Sequence, residues 1–192
     1  VALSAVGYGG AVGLGAGASG GGGGGGAGPS VRARQAEGSD FASRGDAEGA
    51  WQRMGLRELK RTDRERTDCV AAAFGAVREF LRRTGCAEMD RALFLVGDDA
   101  GNSAVIAVAW VAFPSTADAR GFRDVADAPG SGDVKPLDTA QVGLGDIAFG
   151  GANYGSDRHH DTVTVAEAEV AAGYVTPEVL DALAEVAAQL PR

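Results

Sequence analysis

An α+β domain follows from three features of this chain. Between residues 68 and 192, an amphipathic helix is followed twice by two strand-like runs and a helix. The runs are short, rich in Val, Ala, Ile and Phe, and separated by turn residues rather than by crossover helices. Residues 1–67 differ in kind, being dominated by glycine and charge. The expected architecture is a leading helix and then ββα twice. That gives a mainly antiparallel four-stranded sheet with helices packed on one face.

The leading helix is read from "DCVAAAFGAVREFLRRTG", where Val70, Ala73, Phe74, Val77 and Leu81 share a face. Asp68 or Thr67 caps it, and Gly85 lies beyond its end. "RALFLVGD" is a buried strand and "GDDAGN" a turn. "SAVIAVAWVAF" is a second strand, apolar enough throughout to lie in the middle of a sheet. Pro114 cannot donate to a ladder and ends it. Ser115 or Thr116 caps the next helix, whose inward face is Ala119, Phe122, Val125 and Ala126. "DIAFGGANY" is the third strand, weakened by Gly150 and Gly151. "GSDRHHD" is a turn and "TVTVAEAEV" the fourth strand. The closing helix, "TPEVLDALAEVAAQL", has Thr176 as cap and Pro177 in its first turn. Its inward residues are Val179, Leu180, Leu183, Ala187 and Leu190. "GSGDVKPLDTAQVGLG" joins the halves as a long surface loop.

Residues 1–67 read as a low-complexity, flexible segment. Fourteen of the 31 glycines fall in residues 1–30, where ordering costs most backbone entropy and buries least apolar surface. "VALSAVGYGGAVGLGAGASG" is the trailing end of a membrane anchor or low-complexity filler. Gly-rich linkers follow anchors, which favours the first. "RMGLRELKRTDRER" reads as a short, solvated, charged helix with Arg61 and Glu65 at i,i+4. Residues 68–192 carry nine basic and 19 acidic side chains, a net −10. So acidic a domain repels phosphate backbones, which excludes nucleic acid as its partner.

Motifs of known chemistry are few. "GAGASG" from Gly15 imitates a dinucleotide loop but has no preceding strand or following helix. No P-loop, nucleophile elbow or HExxH occurs, and no cofactor or metal is expected. His159 and His160 are neighbours in a predicted turn, where they point different ways and make a poor metal pair. Glu167 and Glu169 lie two apart on a strand and share the face of Val163 and Val165. Such a pair either works as acid and base or is the solvent side of a half-buried strand. Trp110 shares its face with Ala104, Ile106, Val108 and Ala112. It lines an open ligand or partner surface if the helices cover the other face, and otherwise packs in the core. Cys69 and Cys86 are the only cysteines. A continuous helix between them separates its ends by about 20 Å at 1.5 Å per residue. A bridge needs Cα atoms within roughly 7 Å, so it requires the helix to break at Gly75 or to start late. As a nucleophile, Cys69 would need a histidine brought near by folding.

The stretches "RALFLVGDDAGNSAVIAVAWVAFPSTADARGFRDVADAPGSGDVKPL" and "VTVAEAEVAAGYVTPEVLDALAEVAAQLP" resemble a group of uncharacterised actinobacterial proteins. Members have one membrane anchor, a low-complexity linker and a small extracytoplasmic domain. The resemblance implies a location, membrane-associated or secreted, and an oxidising environment for the two cysteines. It implies no site residue. The expected function is therefore a non-enzymatic extracytoplasmic domain binding a small molecule or a protein, tethered at its amino end. A small enzyme using Glu167 and Glu169 is the alternative, and a module that homodimerises through an exposed sheet face around Trp110 is the third.

Overall fold

The computed structural model describes residues 28–192. The readings of "VALSAVGYGGAVGLGAGASG" and of the "GAGASG" loop therefore lie outside the described residues. The fold is α+β, with five helices and one antiparallel sheet of six strands. In chain order these are α1 (Val31–Ser43), α2 (Ala47–Arg53), β1 (Arg57–Arg61), β2 (Glu65–Arg66), α3 (Gly75–Thr84), β3 (Glu88–Gly97), β4 (Ser103–Ala112), α4 (Thr116–Ala126), β5 (Tyr154–His159), β6 (Thr162–Ala172) and α5 (Pro177–Ala188). The strand order is β1-β3-β4-β6-β5, and β2 pairs with β3 beside β1.

Each strand's place follows from its composition. β4 is apolar on both faces and sits in the middle, paired with β3 and β6 over its whole length. β1 ("RELKR") and β5 ("YGSDRH") are polar and form the edges, where charged side chains discourage pairing with other chains. The two ββα units are present as β3-β4-α4 and β5-β6-α5. Ser115 caps α4 by accepting the Asp118 N–H at 3.1 Å, and Thr176 caps α5 by accepting the Val179 N–H at 3.3 Å.

Several expectations need correction, beginning with the sheet, which has six strands rather than four. Helices cover both faces of the sheet, not one. On one face α1, α2 and α5 pack on Phe94, Val96, Ile106, Trp110 and Ala168. On the other, α3 and α4 pack on Met89, Val111 and Val163, while the loop after α4 covers Leu93 and Val105. A central strand without a polar face demands both layers.

The chain between 31 and 66 is folded, contrary to the boundary at residue 67. It supplies two helices and two edge strands. Its large apolar residues are few but well placed: Trp51 and Met54 are fully buried, and the Trp51 ring lies 5.7 Å from that of Phe94. Small residues allow close helix packing. A Cβ on Gly38 would meet Ala50 O and Val186 Cγ2, both at 3.3 Å. The basic stretch is not a helix, because α2 stops at Gly55 (φ 81°) and the charges that follow lie on β1 and β2.

The helix carrying the cysteines begins at Gly75, not at residue 68. Cys69 therefore sits in the turn before α3 and is bonded to Cys86, with Cα atoms 6.5 Å apart. Finally, the third strand of the expected pattern is "YGSDRH" rather than "DIAFGGANY". The glycine pair leaves the latter irregular, and the turn shrinks to His160 (φ 56°) and Asp161.

Candidate binding cleft

A strap formed by residues 131–137 lies across the sheet face opposite α5. Two glycines allow it. At the start of α3 the backbone of Gly75 (φ 62°) crosses that of Gly132 (φ 96°), and a Cβ on either would collide with the other segment's backbone. Ser131 O accepts the Ala76 N–H at 2.5 Å, Asp133 O accepts that of Phe74 at 3.0 Å, and Ala72 O accepts that of Lys135 at 2.6 Å. The donors at the N-terminus of α3 are thereby satisfied by the strap. Asp133 is carried over the sheet.

Beneath the strap, the register places Arg91 of β3, Ala109 of β4 and Val165 of β6 in one row. Leu93, Ala107, Glu167 and Tyr154 form the next. All point to the strap side. The two alanines are low between taller neighbours, so a cleft opens above them, walled by Arg91, Glu167, Asp133, Pro136 and Phe149. Its interior, about 20 Å³, is large enough for one water molecule.

Asp133 and Glu167 line the cleft together. Burial, the bond to Glu167 and that group's charge together push the Asp133 carboxyl up to about 8, although it also accepts the Val134 N–H at 2.6 Å. Arg91 donates to Lys135 O at 2.8 Å and Pro136 O at 3.3 Å, and it approaches Glu65 and Thr67 at 3.4 Å each. Its buried Nε has no partner. Burial lowers its pKa and the Glu65 charge opposes that. Tyr154 donates to Asp127 at 3.1 Å, and burial, then the charges of Asp133 and Asp127, push its phenol well above the ordinary range.

The residues singled out in the sequence scatter. Glu167 is in the cleft. Glu169 is on the same face, as its spacing implies, but it turns to a different task. Glu167 Oε2 accepts the Gly151 N–H and Glu169 Oε1 the Gly150 N–H, both at 3.2 Å, so the pair grips the loop that carries Phe149. Neither glutamate is on a free solvent face; the loop covers them. Trp110 lines no open surface. It is fully buried on the helix-covered face, donates from Nε1 to Leu190 O at 2.7 Å, and carries the Arg64 guanidinium 4.1 Å above its ring. The dimer surface expected around it is accordingly absent from the described residues. His159 and His160 stack edge to face at the β5–β6 turn, 4.3 Å apart and away from the cleft. Cys69 offers no thiol, being bridged. Among the described residues, no three His, Cys, Asp or Glu side chains are grouped to hold a metal ion.

Sequence reasoning missed Asp133 and Arg91. The signal for the first was slight: "DVKPL" has two buried apolar residues, Val134 and Leu137, in a stretch otherwise read as a surface loop.

No protein-family model matches the chain, and no curated protein or solved structure shows significant similarity to it.

Proposed function

We propose that the chain is a non-enzymatic binding domain working outside the cytoplasm, with the cleft beneath the strap as its binding site. The observation that carries this reading is hydrogen-bonding capacity left unused over an apolar floor. Arg91 Nε lacks a partner, and the Asp133–Glu167 pair can both donate and accept, above Ala107 and Ala109. Convergent polar groups in an apolar concavity are the usual form of a small-ligand site. The interior admits only a water-sized group, so the cleft suits the hydrogen-bonding tip of a ligand whose apolar flank packs outside it on Phe149 and Pro136. The Cys69–Cys86 bridge supports an oxidising compartment, as does the resemblance of the sequence to tethered extracytoplasmic domains. No helix among the described residues is long and apolar enough to cross a membrane, so a tether would be supplied by other residues.

Native mass spectrometry of the full chain purified from expressing cells tests the reading, with Ala107→Leu alongside. The wild type is expected to carry a small bound mass that the filled-floor variant lacks. A wild type free of ligand in every preparation overturns the proposal, as does a ligand retained by Ala107→Leu.

One observation favours a second reading. A protonated carboxyl beside a carboxylate is also an acid–base arrangement, with Asp133 in the place expected for Glu169. Turnover abolished by Asp133→Asn, with binding kept, would select it.

A further inference from the structure

We infer that the concavity between α2 and the bend joining β1 to β2 is a second binding site, for an organic anion: a carboxylate or phosphate ester carried on an apolar body. It opens on the sheet face opposite the cleft, so the inference does not rest on the cleft being a site.

The concavity holds about 380 Å³, within the range of about 300–1,000 Å³ usual for small-molecule sites. Ala92 and Phe94 of β3, both nearly buried, give it an apolar floor. The start of α2, the bend at 61–64 and residues 190–192 surround that floor.

The bend is a β-bulge, and it aims a side chain. Thr62 still pairs with Leu93: its N–H donates to Leu93 O and its Oγ1 accepts the Leu93 N–H, both at 3.0 Å. Pairing resumes with Glu65 opposite Arg91. Asp63 and Arg64 together therefore oppose Ala92 alone, and an extra residue kinks a strand and redirects its side chains. Here the kink sends Arg64 over the sheet. Its guanidinium lies 4.1 Å above the Trp110 ring and donates from Nη2 to Pro191 O at 2.9 Å. Trp110 is itself anchored through Nε1 to Leu190 O. The guanidinium is thus held in place before any ligand arrives, which lowers the ordering cost of binding.

What Arg64 lacks is an acid. Among the described residues it has no carboxylate within ion-pair distance, and Pro191 O is the one hydrogen-bond partner of its donors. Arg61 reaches Glu58 through Nε at 3.4 Å and keeps its terminal nitrogens free among the described residues. Arg192 is committed to Glu88 and Asp90. Asp63 is the one carboxylate lining the concavity, against three arginines. Guanidinium N–H groups match the paired oxygens of a carboxylate or a phosphate, and the floor takes the apolar body beside them. A neutral ligand would leave the Arg64 charge uncompensated, and a cation would be repelled by it.

NMR of the arginine Nε–H groups in the isotope-labelled full chain tests the site. The probes are phenyl phosphate, benzoate, inorganic phosphate, benzyl alcohol and benzylammonium. Phenyl phosphate and benzoate are expected to shift the Arg61 and Arg64 signals saturably, the tighter of the two naming the head group. Inorganic phosphate should bind more weakly for want of the floor, and the alcohol and the ammonium should leave both signals in place. Arg61→Gln and Arg64→Gln should each weaken the tighter anion about tenfold or more, the loss expected for a charged hydrogen bond. Arg64→Gln also gives up the Trp110 and Pro191 contacts; if it fails to fold, Arg61→Gln, at an exposed position, decides alone. Shifts that never saturate overturn the proposal, as do an equal response to benzyl alcohol and an unchanged affinity in Arg61→Gln. Inorganic phosphate bound as tightly as phenyl phosphate overturns it too. So do anion shifts confined to Arg91 and Lys135, which would place anion binding in the cleft instead.

Discussion

Replacing Trp51 asks whether the amino-terminal helices belong to the domain. Its side chain is fully buried and packs on Phe94 at 5.7 Å with ring planes 59° apart. A buried aromatic of this size removes about 150–250 Å² from water, about 4–6 kcal/mol at ~25 cal/mol per Å². That figure is an upper bound, because unfolded chains already bury some surface. Alanine also keeps part of the burial, so Trp51→Ala should cost about 3–5 kcal/mol. A domain of this size holds about 5–15 kcal/mol in all, and each kcal/mol moves its midpoint by roughly 2–4 °C. The indole Nε1 is buried without a partner, which costs the wild type about 1–3 kcal/mol. Trp51→Phe removes that orphan donor as it shrinks the ring, so it should lie within about 1.5 kcal/mol of wild type, the range of well-tolerated apolar swaps. Urea titrations followed by far-ultraviolet circular dichroism provide the comparison, since the substitution deletes a fluorophore. An unchanged midpoint for Trp51→Ala would mean that α1 and α2 do not dock and that the flexible reading of residues 31–67 was right.

Other outcomes follow from the opposite face. Phe122 is fully buried between Phe80 and Phe113, at 6.2 and 5.1 Å, so Phe122→Ala should cost about 3–5 kcal/mol in chemical denaturation. Ser115→Ala should cost about 1 kcal/mol through loss of the α4 cap, while Thr116→Ala, inside the helix, should cost less. Replacing both Cys69 and Cys86 by Ala opens a link spanning 17 residues and should cost about 3 kcal/mol. The same double variant should speed amide exchange at Lys135, whose N–H bonds to Ala72 in the bridged turn. Exchange unchanged there would separate the bridge from the strap.

How much of this was legible depended on how local the signal was. β3, β4, β6, α4 and α5 each carry their own periodicity and punctuation, which place all five; the sequence marks the α5 cap, leaves the α4 cap between Ser115 and Thr116, and starts β3 three residues late. β5 was not, because an edge strand of "YGSDRH" has no apolar face to announce it. The helices between 31 and 53 escaped for a different reason. Composition averages over a window, whereas burial there depends on Gly38, Ala42, Ala50 and Trp51 meeting α5 from far along the chain. The cleft is less local still. Ala107 and Ala109 are unremarkable in β4 until register sets them between Arg91 and Glu167, and Asp133 until the Gly75–Gly132 crossing delivers it there.

The side on which α1 begins gives the domain an orientation. Val31 and Gln35 lie beside Glu178, Asp181 and Glu185 of α5, on the outer layer of the face turned away from the strap. Residues 28–30, which lead into α1, therefore lie at the rear of the sheet. A surface holding the domain by that end would sit behind α1 and α5, with the cleft presented outward to the surrounding medium. The mouth of the cleft would then open to the bulk solution rather than to the anchoring surface.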